Sequence, residues 1–451
     1  ESQERFEKLY KGKDEDLLKV LQESLREDAF NHKHLQAVDG RYSNGMSVMM
    51  MGGCTGCNSV YGSTHPNNPH SYPWMNSLFQ DSPTTSWLFG ESLITNHAKK
   101  SVLPERLVDH LLQEELGGFN HETYFKYTHF DDSHMTDREV AEIPKVWAVG
   151  GDGALGDIGF QNLSKVILQN RPNVGVLMLD TQVYSNTGGQ NSDSSVMPGG
   201  IDMNQAGAAT EGKLTERKEV ARILMNGHGS PYVAHVSMAN TANFFKAVID
   251  SLAYRGTAYI QAYTSCQPEH GVPDDQSAVQ AKRCRDSRGA PEFLFDPTLG
   301  ESFAESLTLK GNPDIKRDWK QLQVPDAVEK YNYTVAHWAY TEARFRKHFF
   351  KIKPGEEKGL TSLAEKQKLI TNQDIVNRRF LQPNHRSFVP QNGIYTMMEV
   401  NGKFIPVGLS RHMVLFVIER RKNWRTLQSM MGIENEDYEA QKRHLGYLSE
   451  V

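Results

Sequence analysis

Residues 145–180, KVWAVGGDGALGDIGFQNLSKVILQNRPNVGVLMLD, decide the fold. The apolar run KVWAV ends in a glycine-rich turn, and Gly151, Gly153 and Gly156 fit the G-x-G-x-x-G template that lays a phosphate-bearing cofactor on a helix N-terminus. ALGDIGFQNLSKVILQN has helical spacing, and VGVLMLD is apolar nearly throughout, as a strand covered on both faces must be. Strand and helix signals alternate again in YVAHVSMA, NTANFFKAVIDSLAYRG and TAYIQAYTSC. The pattern predicts an α/β fold, a mostly parallel sheet with helices on both faces.

Outward from this core the texture changes twice. Residues 1–45 are strongly charged, with helical spacing in DEDLLKVLQESLRED, and read as an amphipathic helical segment leading into the fold. From residue 46 a long irregular stretch rich in Gly, Met, Asn, Ser and Pro follows, and its apolar content predicts an ordered, functional loop region. After about residue 326 come charged and aromatic helical segments such as HWAYTEARFRKHFF. GIYTMMEVNGKFIPVGL then sets Asn-Gly between two extended runs, a hairpin signal. The expected division is 1–45, a core domain over 46–325, and an α+β carboxy-terminal extension over 326–451.

The chain has 451 residues and a formal net charge of −5, which gives no electrostatic case for nucleic-acid binding. No apolar run approaches the roughly 18 residues of a membrane helix, so no membrane partner is expected and the chain reads as soluble. It opens on Glu1 without a charged-then-apolar leader, which reads as a trimmed chain or one piece of something longer. Four cysteines are too few for a disulfide scaffold. Two of them form Cys54-x-x-Cys57, a metal or redox spacing suited to a reducing compartment, with the cytoplasm as the expected location.

Asp152 complicates the glycine turn, because its carboxylate would repel a bare pyrophosphate. In one reading the turn holds a dinucleotide and Asp180, at the end of the next strand, takes the ribose. In the other, Asp152 and oxygens of TQVYSNTGGQ ligate Mg²⁺, which neutralises a diphosphate. The second reading accounts for Asp152, for the Thr181 hydroxyl, for the free loop carbonyls and for the Asn186 amide.

VWAVGGDGALGDIGF, LDTQVYSNTGGQ, GCNSVYGS followed by PWMNSLFQDS, and AYTSCQPEHGV resemble, in order, the thiamine-diphosphate domain of pyruvate:ferredoxin (flavodoxin) oxidoreductases and related 2-oxoacid:acceptor oxidoreductases. PEFLFDPTLGESF resembles the family's carboxy-terminal segment. The resemblance implies the thiamine-diphosphate-binding fold, with Mg²⁺ on Asp152, the Thr181 hydroxyl and the Val183 carbonyl. It implies backbone approach to the diphosphate at Gly151 and Gly153. Asn186 would lie near the thiazolium and substrate as the catalytic position, and Ser59 and Val60 would line the cofactor.

The implied activity is oxidative decarboxylation of a 2-oxoacid, pyruvate by default, to acyl-CoA and CO₂, with electrons passed through iron–sulfur carriers to ferredoxin or flavodoxin. Cys57 and Cys266 match two of the family's four [4Fe–4S] ligand positions. The other two normally form an upstream C-x-x-C, and NHKHLQAVDGRYSNG has no cysteine. With the C-x-x-C spacing of Cys54 and Cys57, Cys54 would be the candidate to substitute for one of them, and a cluster intact in this chain, completed by other groups, or absent all stay open. Cys284, in the basic AKRCRDSRG, is expected to be a surface thiol; His65, His70, His235 and His270 are read as hydrogen-bonding loop residues, with an unusual histidine cluster ligand, His270 above all, as the alternative. The carboxylate that protonates the aminopyrimidine comes from another domain in this family, so other subunits or domains and an oligomeric assembly are expected. A non-oxidative thiamine decarboxylase or carboligase, and a scaffold with a degenerate cofactor domain, are the alternatives.

Overall fold

The computed structural model describes residues 49–63, 73–77, 81–106, 128–203, 209–213, 215–353 and 355–450, together with residues 23, 25 and 125. The expected amino-terminal helical segment lies outside the described residues except at residues 23 and 25, and so do His65 and His70.

Eight strands form the main sheet: β1 (Met49–Gly53), β2 (Trp74–Asn76), β3 (Lys145–Gly151), β4 (Val174–Asp180), β5 (Tyr232–Ser237), β6 (Ala258–Tyr263), β7 (Phe293–Phe295) and β8 (Leu307–Thr308). Their order is β8-β7-β5-β6-β4-β3-β1-β2. All neighbours from β5 to β2 run parallel, and only the edge strands β7 and β8 are antiparallel. The central register sets Ala148 opposite Val176 and Val176 opposite Tyr259.

Both faces of this sheet are covered, which is why its strands are continuously apolar. On one face, α3 (Phe160–Gln169) and α4 (Val220–Gly227) bury Leu163, Val166, Ile167 and Leu224 against Val176, Met178, Val233 and Tyr259. On the other, α5 (Thr241–Ala253) places Ala247 among Tyr232, Ala234, Val236, Ile260 and Ala262. α2 (Ser82–His97) packs Leu93 and Ile94 near Val146. The expected α/β architecture is thus present, and the irregular stretch after residue 46 contains β1, the short helix α1 (Cys57–Ser63) and β2.

The carboxy-terminal half adds a second sheet of β9 (Phe349–Lys351), β10 (Thr361–Ser362), β11 (Ile394–Val400) and β12 (Lys403–Leu409), in the order β9-β12-β11-β10. β11 and β12 are the expected hairpin, and Asn401 and Gly402 turn it with φ of 50° and 74°. Ser410 then caps α7 (Arg411–Met430), accepting the Met413 amide at 3.2 Å. The first half of α7 buries Met413–Ile418 among Trp338, Phe345 and Leu409. Its second half sends Trp424 and Leu427 into the apolar cluster beneath the main sheet.

Three local expectations differ from the structure. The helix after the glycine turn is split into a π-helical turn over Ala154–Ile158 and α3, with Gly159 between them. A Cβ at Gly156 would stand 2.1 Å from Ser194 Oγ, so this turn is packed too closely for a side chain. HWAYTEARFRKHFF is not one helix: it forms a short helix (Val335–Ala339), a 3₁₀ turn (Ala343–His348) and the start of β9. Cys284 is not a surface thiol but fully buried, because α6 (Ser277–Asp286) turns Gln280, Ala281 and Cys284 inward, leaving Lys282 exposed and Arg283 and Arg285 partly buried.

Candidate functional site

The site is built where β3 and β4 end, at the carboxyl edge of the parallel strands, where open α/β sheets hold their ligands. Asp152 directly follows β3 and Thr181 directly follows β4. The buried Asp152 carboxylate accepts the Thr181 amide at 3.1 Å and its hydroxyl at 3.0 Å, both on Oδ1. The same hydroxyl stands 3.1 Å from the Val183 carbonyl, while Ser185 donates to it at 2.8 Å. One hydroxyl proton therefore faces two acceptors. Asp152 Oδ2 is buried and has no hydrogen-bond partner among the described residues. Burial, followed by the charge of Asp180, pushes the Asp152 carboxyl up to about 7. A site with three hard oxygens, too few protons and an idle carboxylate oxygen fits a small divalent cation.

Behind Asp152, Asp180 is fully buried and forms an ion pair with Arg217. Gln261 donates to the same carboxylate oxygen at 2.7 Å, and His235 Nε2 lies 3.9 Å away. Against the desolvation that would raise it, the Arg217 guanidinium holds the Asp180 carboxyl well below the usual carboxylate range. An aspartate engaged in a buried ion pair cannot take a ribose, so the arrangement does not suit the dinucleotide reading.

The loop between the Thr181 hydroxyl and the Val183 carbonyl is itself constrained. Gln182 has φ of 62°, in the left-handed region, and is fully buried. Arg344 Nη2 reaches its side-chain oxygen at 3.3 Å, and the same guanidinium donates to Glu342 at 2.8 Å. His270 is buried and held well below its ordinary pKa by desolvation and by the Arg344 charge, so its ring is neutral. Its Nε2–H donates to the Thr181 carbonyl at 2.8 Å.

The two glycines of the turn are unlike. A Cβ at Gly151 would meet nothing closer than the Leu179 carbonyl at 3.9 Å, whereas one at Gly153 would stand 2.2 Å from the Tyr184 ring. Tyr184 donates to Asp157 at 2.8 Å. Asn186 is exposed at the tip of the loop, 3.8 Å from the Cys57 sulfur. Ser59 is buried and donates to the Gly56 carbonyl at 2.9 Å, while Val60 is exposed.

The cysteines fall into different surroundings. Cys57, exposed at the start of α1, is raised by partial burial and by its neighbours Cys266 and Glu269. Cys54 is buried in the apolar cluster beneath the sheet, its thiol pushed up to about 12 mainly by burial. Cys284 belongs to the carboxy-terminal cluster. Among the described residues, no group of three or more His, Cys, Asp and Glu side chains stands ready to hold a metal ion. The structure thus brings Asp152, Thr181 and Val183 together, and Asn186 beside Cys57, but leaves Cys54 apart in the core. Sequence reading missed Gln182, Arg217, Glu342 and Arg344. Arg344 lies 162 residues from the glutamine it touches, and no local spacing signals such a pair.

The oxygens of Asp152, Thr181 and Val183 gather at the carboxyl edge of an α/β sheet, where such folds hold ligands, and comparison with known proteins shows what the chain is similar to. No family model matches the chain. It is 29% identical to a probable pyruvate-flavodoxin oxidoreductase of Escherichia coli (strain K12) over 291 residues, 59% of this chain and 24% of that one. It is 30% identical to a pyruvate-flavodoxin oxidoreductase of Rhodospirillum rubrum over 289 residues, 55% of this chain and 23% of the relative. A mitochondrial pyruvate dehydrogenase (NADP⁺) of Euglena gracilis is 27% identical over 430 residues, 85% of this chain and 22% of the relative. The chain is a relative of the pyruvate:flavodoxin and pyruvate:ferredoxin oxidoreductases, as its motifs indicate, and spans about a quarter of the length of the curated relatives it matches. Among the described residues no helix is long and apolar enough to cross a membrane.

Proposed function

We propose that this chain is the thiamine-diphosphate- and Mg²⁺-binding part of a 2-oxoacid:acceptor oxidoreductase, with pyruvate the first substrate to test. The observation that carries the reading is the meeting of Asp152, the Thr181 hydroxyl and the Val183 carbonyl, with one Asp152 oxygen idle. These three would hold the cation. Gly151, with open space where a side chain would begin, would let the backbone approach the diphosphate. Asn186, exposed beside Cys57, would face the thiazolium and the substrate, while buried Ser59 and exposed Val60 on the same short helix as Cys57 would line the cofactor. When bound, thiamine diphosphate supplies the electron sink that lets a 2-oxoacid lose CO₂.

This chain's contribution is orientation. Asp152, at the end of a rigid strand, brings the charge that fixes the cation, and the neutral His270 ring holds the Thr181 peptide from behind. The matched stretch covers only about a quarter of these relatives, which leaves room for the remaining roles: coenzyme A, ferredoxin or flavodoxin, and the aminopyrimidine carboxylate would meet other domains or subunits of an oligomer. The thiols do not fit a four-thiolate cluster held by this chain alone, since Cys54 and Cys284 are sealed in separate apolar clusters. That distribution is the observation favouring the second reading, a non-oxidative thiamine decarboxylase or carboligase.

Titration calorimetry of the purified chain with thiamine diphosphate, with and without Mg²⁺, tests the proposal. Mg²⁺-dependent binding is expected, together with its loss in Asp152→Asn. Thiamine diphosphate binding that needs no metal and is as tight in the Asp152→Asn variant as in wild type would sink it.

A further inference from the structure

Two side chains from distant parts of the sequence, His270 and Arg344, converge on the peptide units between the cation-facing oxygens. Thr181 supplies a hydroxyl and Val183 a carbonyl, so the backbone between them must turn sharply, and it does so at Gln182 with φ of 62°. A residue with a Cβ is strained in that conformation unless something holds it. Two contacts hold it here: His270 Nε2 on the Thr181 carbonyl at 2.8 Å, and Arg344 on the Gln182 side chain at 3.3 Å.

Arg344 is itself fixed. Its side chain is 4% exposed, its Nε donates to Glu342 at 2.8 Å, and its guanidinium lies 4.5 Å from the Phe345 ring centroid and 5.6 Å from that of Trp338. Trp338 and Phe345 are fully buried in the carboxy-terminal cluster. The clamp on the turn is therefore anchored in the carboxy-terminal half of the chain, outside the βα units that carry the candidate ligands. Two further buried polar atoms, Gln182 Nε2 and Arg344 Nη1, have no hydrogen-bond partner among the described residues, which leaves the amide and the guanidinium joined through this one contact.

We infer that Arg344 is a positioning residue: by gripping the buried Gln182 side chain it holds the Thr181–Val183 turn in its left-handed, cation-facing shape, and so ties cofactor affinity to the carboxy-terminal half. The inference rests on the cation–diphosphate reading of the site. Outer partners that orient metal ligands typically contribute about ten- to a hundredfold in affinity.

The test exploits the one residue that takes a positive φ at no steric cost. In the full chain, Mg²⁺-dependent thiamine diphosphate affinity is measured calorimetrically for wild type, Gln182→Ala, Gln182→Gly, Arg344→Gln and the double variant Gln182→Gly/Arg344→Gln. Thermal melts are recorded alongside. Gln182→Ala removes the grip but keeps the Cβ, and is expected to weaken binding about tenfold. Gln182→Gly removes both and is expected to stay within about threefold of wild type. Arg344→Gln is expected to weaken binding like Gln182→Ala, and the glycine to restore it in the double variant. A residue that merely supports the core would not be rescued by glycine at position 182. Wild-type binding with equal affinity in the alanine and glycine variants overturns the positioning role and leaves the cofactor reading standing. A wild-type chain that binds no thiamine diphosphate overturns that reading, and the inference falls with it. The Gln182 pair decides the matter even if Arg344→Gln does not fold.

Discussion

Gly151 and Gly153 stand two residues apart in one motif, yet a methyl group would mean different things at each. At Gly153 it would be driven into the Tyr184 ring, with its nearest contact at 2.2 Å, so the ring or the backbone must move. Gly153→Ala is therefore expected to cost about 1–3 kcal/mol in denaturant unfolding, an overpacking effect. At Gly151 the nearest atom is 3.9 Å away and the backbone is not left-handed, so Gly151→Ala is expected to unfold within about 0.5 kcal/mol of wild type. If the diphosphate lies against that backbone, the same variant loses thiamine diphosphate affinity by tenfold or more at unchanged stability. A Gly151→Ala protein that keeps both stability and affinity would remove the diphosphate from this turn. The motif made both glycines legible but could not tell a steric glycine from an open one, because the tyrosine that decides it arrives from the next loop.

At the scale of elements, strands were the most legible feature and helices with glycine or buried charge the least. β3, β4, β5 and β6 announce themselves as apolar runs because both sheet faces are covered, and Asn401-Gly402 fixes its hairpin through two left-handed residues. The stretch HWAYTEARFRKHFF misleads because its polar residues do not share one solvent face: Arg346 and Lys347 are exposed, but His337, Glu342 and His348 are buried, with Arg344 against Glu342. The short helix Val335–Ala339 carries a related buried group with a measurable consequence. His337 Nδ1 accepts the Thr334 amide at 3.0 Å, and its Nε2–H donates to the Met397 carbonyl on β11 at 3.0 Å, a pairing that suits the neutral ring. Desolvation lowers its pKa to about 4, below the unfolded value near 6.5. A depressed histidine stabilises the fold fully above pH 6.5, and that contribution is lost as pH falls toward 4. Between pH 7 and 4.5 the loss is worth about 2–3 kcal/mol. His337→Gln, which cannot charge, is expected to flatten the stability profile by that amount in paired unfolding experiments at the two pH values. Identical slopes for variant and wild type would show that the ring does not report on this packing.

The whole molecule turns on α7. Its first half is built into the carboxy-terminal cluster and its second half into the cluster beneath the main sheet, so neither core is complete without it. At its middle, Glu419 accepts the Arg217 amide at 2.8 Å, and Arg420 pairs with Glu419 at 2.8 Å and with Glu219. Arg217 in turn pairs with Asp180 behind the candidate cation site, which makes one buried chain of charge from α7 to the end of β4. Removing one member of such a chain strands the others in a medium that cannot solvate them, so Arg420→Met is expected to cost about 3–5 kcal/mol although it lies far along the sequence from Asp152. The division expected at residue 326 can be judged the same way. A protein ending at residue 325 would lack Trp424 and Leu427 from the sheet's cluster and both Glu419 and Arg420 from the charge chain. It would also expose Val196, Met197, Tyr263 and Cys284, which now pack in the carboxy-terminal cluster. Scanning calorimetry of that fragment should therefore show no sharp unfolding transition where the full chain shows one. If the fragment instead melts cooperatively and still binds thiamine diphosphate with Mg²⁺, the carboxy-terminal half is a separable unit, and the sheet with its two βα loops makes the cofactor site unaided.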